Sequence, residues 1–98
     1  AGVVSMSSFV ECVTNTAIDA GKFTQCNLSI DIAGGSVARD SALFVGGFGA
    51  ANGARANASI AAVPVTVGQV ITIWVQTSST NPAVNLTITG GWALAYIK

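Results

Sequence analysis

The sequence predicts an all-β domain, a compact antiparallel β-sandwich of jelly-roll-like form with about seven short strands. Three observations carry this expectation. Apolar residues alternate with small or polar ones in several windows: Cys26, Leu28, Ile30, Ile32; Ile71, Ile73, Val75; Val84, Leu86, Ile88; Trp92, Leu94, Tyr96. Period two marks strands with one buried face. Turn formers recur at the spacing of about 8–12 residues common in sandwiches and barrels. No segment reads as a helix.

Each element has its own signal. Residues 3–13 read as a strand, with Val4, Met6, Val10 and Cys12 on one face and Val3, Ser5, Phe9 and Val13 on the other. Residues 14–22 are turn-like, punctuated by Asn15, Asp19 and Gly21. Residues 23–32 are the clearest strand of the first half, and Gly34-Gly35 ends it. Residues 42–48 form a short apolar strand, in which Gly46 and Gly47 suggest a bulge or the close approach of another backbone. Residues 49–59 read as a loop, with Asn52-Gly53 as a tight-turn dipeptide. Residues 59–65 return as a strand, and Pro64 argues for an edge position or a strand end. Thr66 to Gln69 turn the chain, 70–77 form a strong strand, and the next loop contains Pro82. Residues 84–89 and 92–97 close the chain. Gly90-Gly91 is either a two-residue hairpin turn or a kink in one long strand.

The 98 residues suffice for a single domain, 1–98. Charged residues make up 8% and hydrophobic residues 51%, against about 25% charged in an average soluble domain. From Ala56 to Ile97 no side chain is charged. Charges are the usual protection against sheet-to-sheet association, so a face or edge of this sheet is expected to be covered by copies of the chain itself. Only Lys22, Arg39, Arg55 and Lys98 are basic, and they are scattered. That argues against nucleic acid, whose phosphates must be neutralised. No apolar run approaches the about 20 residues of a spanning helix, and the chain is short for an eight-stranded membrane barrel. No membrane partner is therefore expected. The opening AGVVSMSS lacks the basic and long apolar regions of a secretory signal.

Catalytic chemistry finds little support. Without His, Ser-His-Asp and Cys-His nucleophiles cannot be built. Glu11, Asp19, Asp31 and Asp40 read as solvated carboxylates rather than as an acid–base pair. No metal site or cofactor is expected: two Cys without His cannot complete a structural zinc site, and no calcium-loop spacing is present. If 3–13 and 23–32 pair as a hairpin, Cys12 faces Cys26 within bridging range. The alternative is two reduced, buried thiols. Three Asn-x-Ser/Thr triplets, at Asn27, Asn57 and Asn85, match the glycosylation pattern, but strands rich in Asn, Ser and Thr produce them by chance. Trp74 lies on the face opposite Ile71, Ile73 and Val75. There it is an interface anchor, a second packed face, or a stacking platform for a sugar.

The C-terminal segment TVGQVITIWVQTSSTNPAVNLTITGGWALAYIK resembles the closing strands of the tumour-necrosis-factor/C1q-like jelly roll of bacterial and phage type. In that family a small residue and Gly precede an alternating strand, as Val67-Gly68-Gln69 does here, and the chain closes on an apolar strand. GKFTQCNLSIDIAGG is similar to an early strand of such domains. The likeness covers about the last third of the chain, which is shorter than most members. It implies a homotrimer, packed through apolar side chains around a threefold. The expected function is a non-enzymatic structural protein of a phage particle, as capsid decoration, cement or fibre tip. Its partners would be itself and the major capsid protein or a fibre shaft, at the virion surface. Phe44, Trp74, Trp92 and Tyr96 are the expected interface anchors. The alternative is a lectin-like attachment module on an extracellular or bacterial surface, with a glycan on Trp74 or Trp92.

Overall fold

The computed structural model describes residues 2–15, 17–46, 53–79 and 86–98. Two three-stranded antiparallel sheets pack as a sandwich of 49 × 20 × 15 Å. The strands are β1 (Gly2–Thr14), β2 (Phe23–Ile32), β3 (Gly35–Val45), β4 (Gly53–Val65), β5 (Ile71–Ser79) and β6 (Leu86–Ile97). Sheet A has the order β4-β1-β6 and sheet B the order β3-β2-β5. First and last strands are neighbours, as are second and second-last, the nested pairing of a jelly-roll-like fold. Among the described residues the strands number six, not seven, because 86–97 is one continuous strand in which Gly90 and Gly91 pair with Glu11 and Val10 of β1.

Other departures have local causes. Strand 23–32 ends at Ile32, just before Gly34-Gly35, as expected, but the sheet continues past it. Ala33 and Gly34, at φ 52° and 83°, make a two-residue turn that sends β3 straight back along β2, with Ile32 opposite Gly35. The expected loop 49–59 becomes strand from Gly53 onward, because Ala54, Ala56 and Ala58 turn inward opposite Cys12, Val10 and Ser8. Their small side chains let β4 lie close under the second sheet. Pro64 sits on an edge strand as expected. Residues 66–69 turn as expected, closed by the Gln69 N–H on the Thr66 carbonyl (3.2 Å) and by the Thr66 N–H on Gln69 Oε1 (2.8 Å). Gly46 meets a foreign backbone: a Cβ there would stand 2.7 Å from the Asp19 carbonyl oxygen. Asn52, Gly47, Phe48, Pro82 and Asn85 lie outside the described residues.

The core comes from the inward rows of four strands: Val4, Met6, Val10 and Cys12; Cys26, Leu28 and Ile30; Ala42 and Phe44; Ala56 and Ala58. Ile18 plugs one end. Among the described residues, buried polar side chains are satisfied. The Ser8 hydroxyl donates to the Ala58 carbonyl at 2.9 Å, and Thr24 Oγ1 shares a hydrogen bond with Ser79 Oγ at 2.7 Å. β5 and β6 supply only partly buried residues, Ile71, Ile73 and Leu86. The sandwich is closed along its β3/β4 flank, where Asp40 accepts the Asn57 N–H at 2.6 Å. It is open along the β5/β6 flank. There a cavity of about 430 Å³ is lined by Val10, Leu28, Ile73, Val75, Ile88 and Trp92 among others.

Candidate interaction face

The outer face of sheet A carries a row of exposed large apolar side chains. Its geometry depends on a bulge in β6. Cys12 faces Ile88 and Glu11 faces Gly90, so Thr89 is an extra residue and the strand's parity reverses there. Before the bulge, Leu86 and Ile88 turn toward the core. After it, residues of the same sequence parity, Trp92, Leu94 and Tyr96, turn outward. They are 55%, 66% and 65% exposed. Gly91 allows this crossing: a Cβ on it would lie 2.8 Å from the Phe9 carbonyl oxygen, too close for any side chain.

Phe9 extends this ridge onto β1. Its ring meets Trp92 edge-on, with centroids 5.1 Å apart and planes at 86°. The Arg55 guanidinium sits 4.1 Å from the Phe9 centroid and pairs with Glu11. Beside the ridge runs a trough of about 440 Å³, with Ser5, Ser7, Ser59 and Ala61 against Leu94 and Tyr96. A row of large apolar side chains therefore borders a row of small ones on a single sheet face.

The outer face of sheet B is polar. Gln25, Asn27, Ser29 and Asp31 of β2 lie between Leu43, Ser41 and Arg39 of β3 and Ser78, Gln76, Trp74 and Thr72 of β5. Trp74 is half-buried there. Its indole N–H donates to Asp31 Oδ2 at 2.8 Å, and Arg39 stands 6.0 Å from its ring. Asp31 also accepts from the Ser29 hydroxyl at 2.7 Å. The Ser29 hydrogen bond, then that of Trp74, hold the Asp31 carboxyl below its ordinary range.

The sequence-derived residues thus fall in three places. Trp92 and Tyr96 share the ridge. Trp74 lies on the opposite sheet, on the face the alternation assigns it. Phe44 is fully buried opposite Thr24 and belongs to the core, not to an exposed anchor row. The expected hairpin between 3–13 and 23–32 does not form, since β1 and β2 are the central strands of different sheets. Cys12 and Cys26 nevertheless meet, both buried on facing inner rows with their thiols side by side, and the Cys12 thiol donates to the Ala54 carbonyl at 3.9 Å. Burial, with the Cys26 thiol beside it, pushes the Cys12 thiol up to about 12. Phe9 and Leu94 complete the ridge. Leu94 was visible in its alternation with Trp92 and Tyr96, whereas Phe9 joins only through the β1–β6 register.

Among the described residues no group of three or more His, Cys, Asp or Glu is gathered as a metal site. No helix there is long and apolar enough to cross a membrane. No protein-family model matches the chain, no curated protein matches it, and no solved structure matches it.

Proposed function

We propose that this chain is a non-enzymatic structural protein that assembles with copies of itself, as a homotrimer, by burying the outer ridge of sheet A. The carrying observation is the exposed row Trp92, Leu94 and Tyr96 beside a trough of Ser and Ala side chains. Large aromatic side chains bury about 150–250 Å² each. The ridge of Phe9, Trp92, Leu94 and Tyr96 therefore offers on the order of 450 Å², against about 800 Å² per partner in a standard interface. At about 25 cal/mol per Å² that is roughly 11 kcal/mol gross per contact, set against a cost of association of about 4–15 kcal/mol. A ridge bordered by a trough is also complementary in shape to a second copy of itself. The resemblance of the C-terminal third to the tumour-necrosis-factor/C1q-like family directs the reading to a phage particle. There the trimer would decorate or cement a capsid, or cap a fibre shaft, at the virion surface.

The test is sedimentation of the purified chain over a micromolar concentration series, beside Leu94→Asp and Tyr96→Asp. The wild type should run as a trimer and both variants as folded monomers. A monodisperse wild-type monomer would remove the proposal. The carbohydrate alternative rests on Trp74 or Trp92. Trp92 belongs to the ridge; Trp74 is half-buried among Asn, Gln and Thr side chains. Its indole N–H is already engaged by Asp31, so the self-assembly reading is preferred. Glycan-array binding that disappears in Trp74→Ala while assembly persists would reverse that preference.

A further inference from the structure

The two cysteines occupy a particular place. β1 is the middle strand of sheet A and β2 the middle strand of sheet B. Cys12 and Cys26 project from these strands into the core, at 1% and 0% exposure, with their thiols side by side. Their cross-strand neighbours at the β4 and β3 edges are both alanine, Ala54 beside Cys12 and Ala42 beside Cys26. Small neighbours let the layers close. β1 and β2 approach within 8 Å, Cα to Cα, nearer than the about 10 Å usual between packed sheets. A disulfide spans about 4.4–6.8 Å between Cα atoms, a separation suited to two thiols that face each other between these strands. Among the described residues no Asp, Glu, Lys or Arg side chain is buried in the core.

From this geometry we infer that Cys12 and Cys26 are a covalent modification site: an intersheet disulfide, installed by a disulfide donor while the chain folds, that ties the two central strands together. The chemistry is two-step exchange. The thiolate of one cysteine attacks the donor disulfide, forming a mixed disulfide and releasing one donor thiolate. The second cysteine's thiolate attacks the protein sulfur of that mixed disulfide, forming the Cys12–Cys26 bond and releasing the second donor half. Two protein thiols are oxidised, one donor disulfide is reduced to two thiols, and the two protons end on the donor. Timing follows from burial. Once the sandwich is closed neither sulfur is reachable, so the folded dithiol form is inert and the modification belongs to folding.

The experiment uses the full chain. Denatured, reduced protein is refolded in a mixture of reduced and oxidised glutathione. In parallel, already folded, reduced protein is held in the same mixture. The refolded sample should lose the mass of two hydrogen atoms, and digestion without reductant should join the Cys12 and Cys26 peptides. Its melting temperature should exceed that of the reduced form by on the order of 10–20 °C, as expected for closing a loop of about 15 residues. The folded sample should keep both thiols, which react with a maleimide only after denaturation. Retention of both thiols after redox refolding, glutathione adducts, or disulfides between chains would each overturn the inference. So would ready oxidation of the folded protein. None of these outcomes depends on the oligomeric state.

Discussion

Replacing Gly91 with Ala is expected to loosen β6 from β1, while the same change at Gly90 is not. The added Cβ at position 91 would stand 2.8 Å from the Phe9 carbonyl oxygen and 3.5 Å from the Val10 Cα. Both are backbone atoms of the central strand, so relief requires the two strands to part. Forced overpacking of this kind costs about 1–3 kcal/mol. For a domain of this size each kcal/mol lowers the melting temperature by about 4–8 °C. At position 90 the nearest atom is Glu11 Oε2, 3.6 Å away at the end of a flexible side chain. There Ala restricts the unfolded chain without a clash, a gain of about 0.4–1 kcal/mol. Urea and thermal unfolding, followed by circular dichroism and tryptophan fluorescence, should place Gly91→Ala below the wild type and Gly90→Ala at or above it. Because the ridge lies just beyond the bulge, Gly91→Ala should also weaken self-association. Equal midpoints for the two variants would refute the strand register on which the outward ridge rests.

Two further outcomes follow from protonation. The unfolded Cys12 thiol ionises near 9.0, but the folded one not until about 12. The reduced protein should therefore be most stable below pH 9 and lose stability across that window, at up to about 1.4 kcal/mol per pH unit; Cys12→Ala should flatten the slope in urea titrations. Asp31 behaves oppositely. Its hydrogen bonds from Ser29 and Trp74 stabilise the carboxylate, so their contribution is present above its ordinary 3.8 and is lost as pH falls through the depressed folded value. Trp74→Phe removes one donor, and its unfolding midpoint should fall less on acidification than that of the wild type.

The all-β architecture was legible because alternation survives wherever one face is buried by large side chains, as in 23–32 and 70–77. It faded where the buried residues are small. Ala54, Ala56 and Ala58 alternate with Arg55, Asn57 and Ser59, a period-two signal of low apolar amplitude that reads as a loop. It faded again on β3, an edge strand whose first half, Gly35 to Ser41, is largely exposed and polar. Trp92, Leu94 and Tyr96 were recognisable as one row, but their direction was not. One extra residue at Thr89 reverses the parity, and only the pairing with β1 reveals it. The cysteines show the reverse situation. Their proximity was anticipated through a hairpin, whereas the fold achieves it by stacking one sheet on another. Opposition across layers leaves no trace in local sequence spacing.

The nested strand order has a temporal consequence. β1 is made first, yet its partners β4 and β6 begin at Gly53 and Leu86. On a ribosome, GVVSMSSFVECVT, with Glu11 as its single charge, must wait until β4 has been synthesised before either of its edges is occupied. The β2–β3 hairpin, closed by a two-residue turn, can form in the meantime. Such distant pairing is slow and leaves apolar strands open to intermolecular capture. Yield in cells should therefore respond to growth temperature and chaperone supply more sharply than the stability of the finished sandwich suggests.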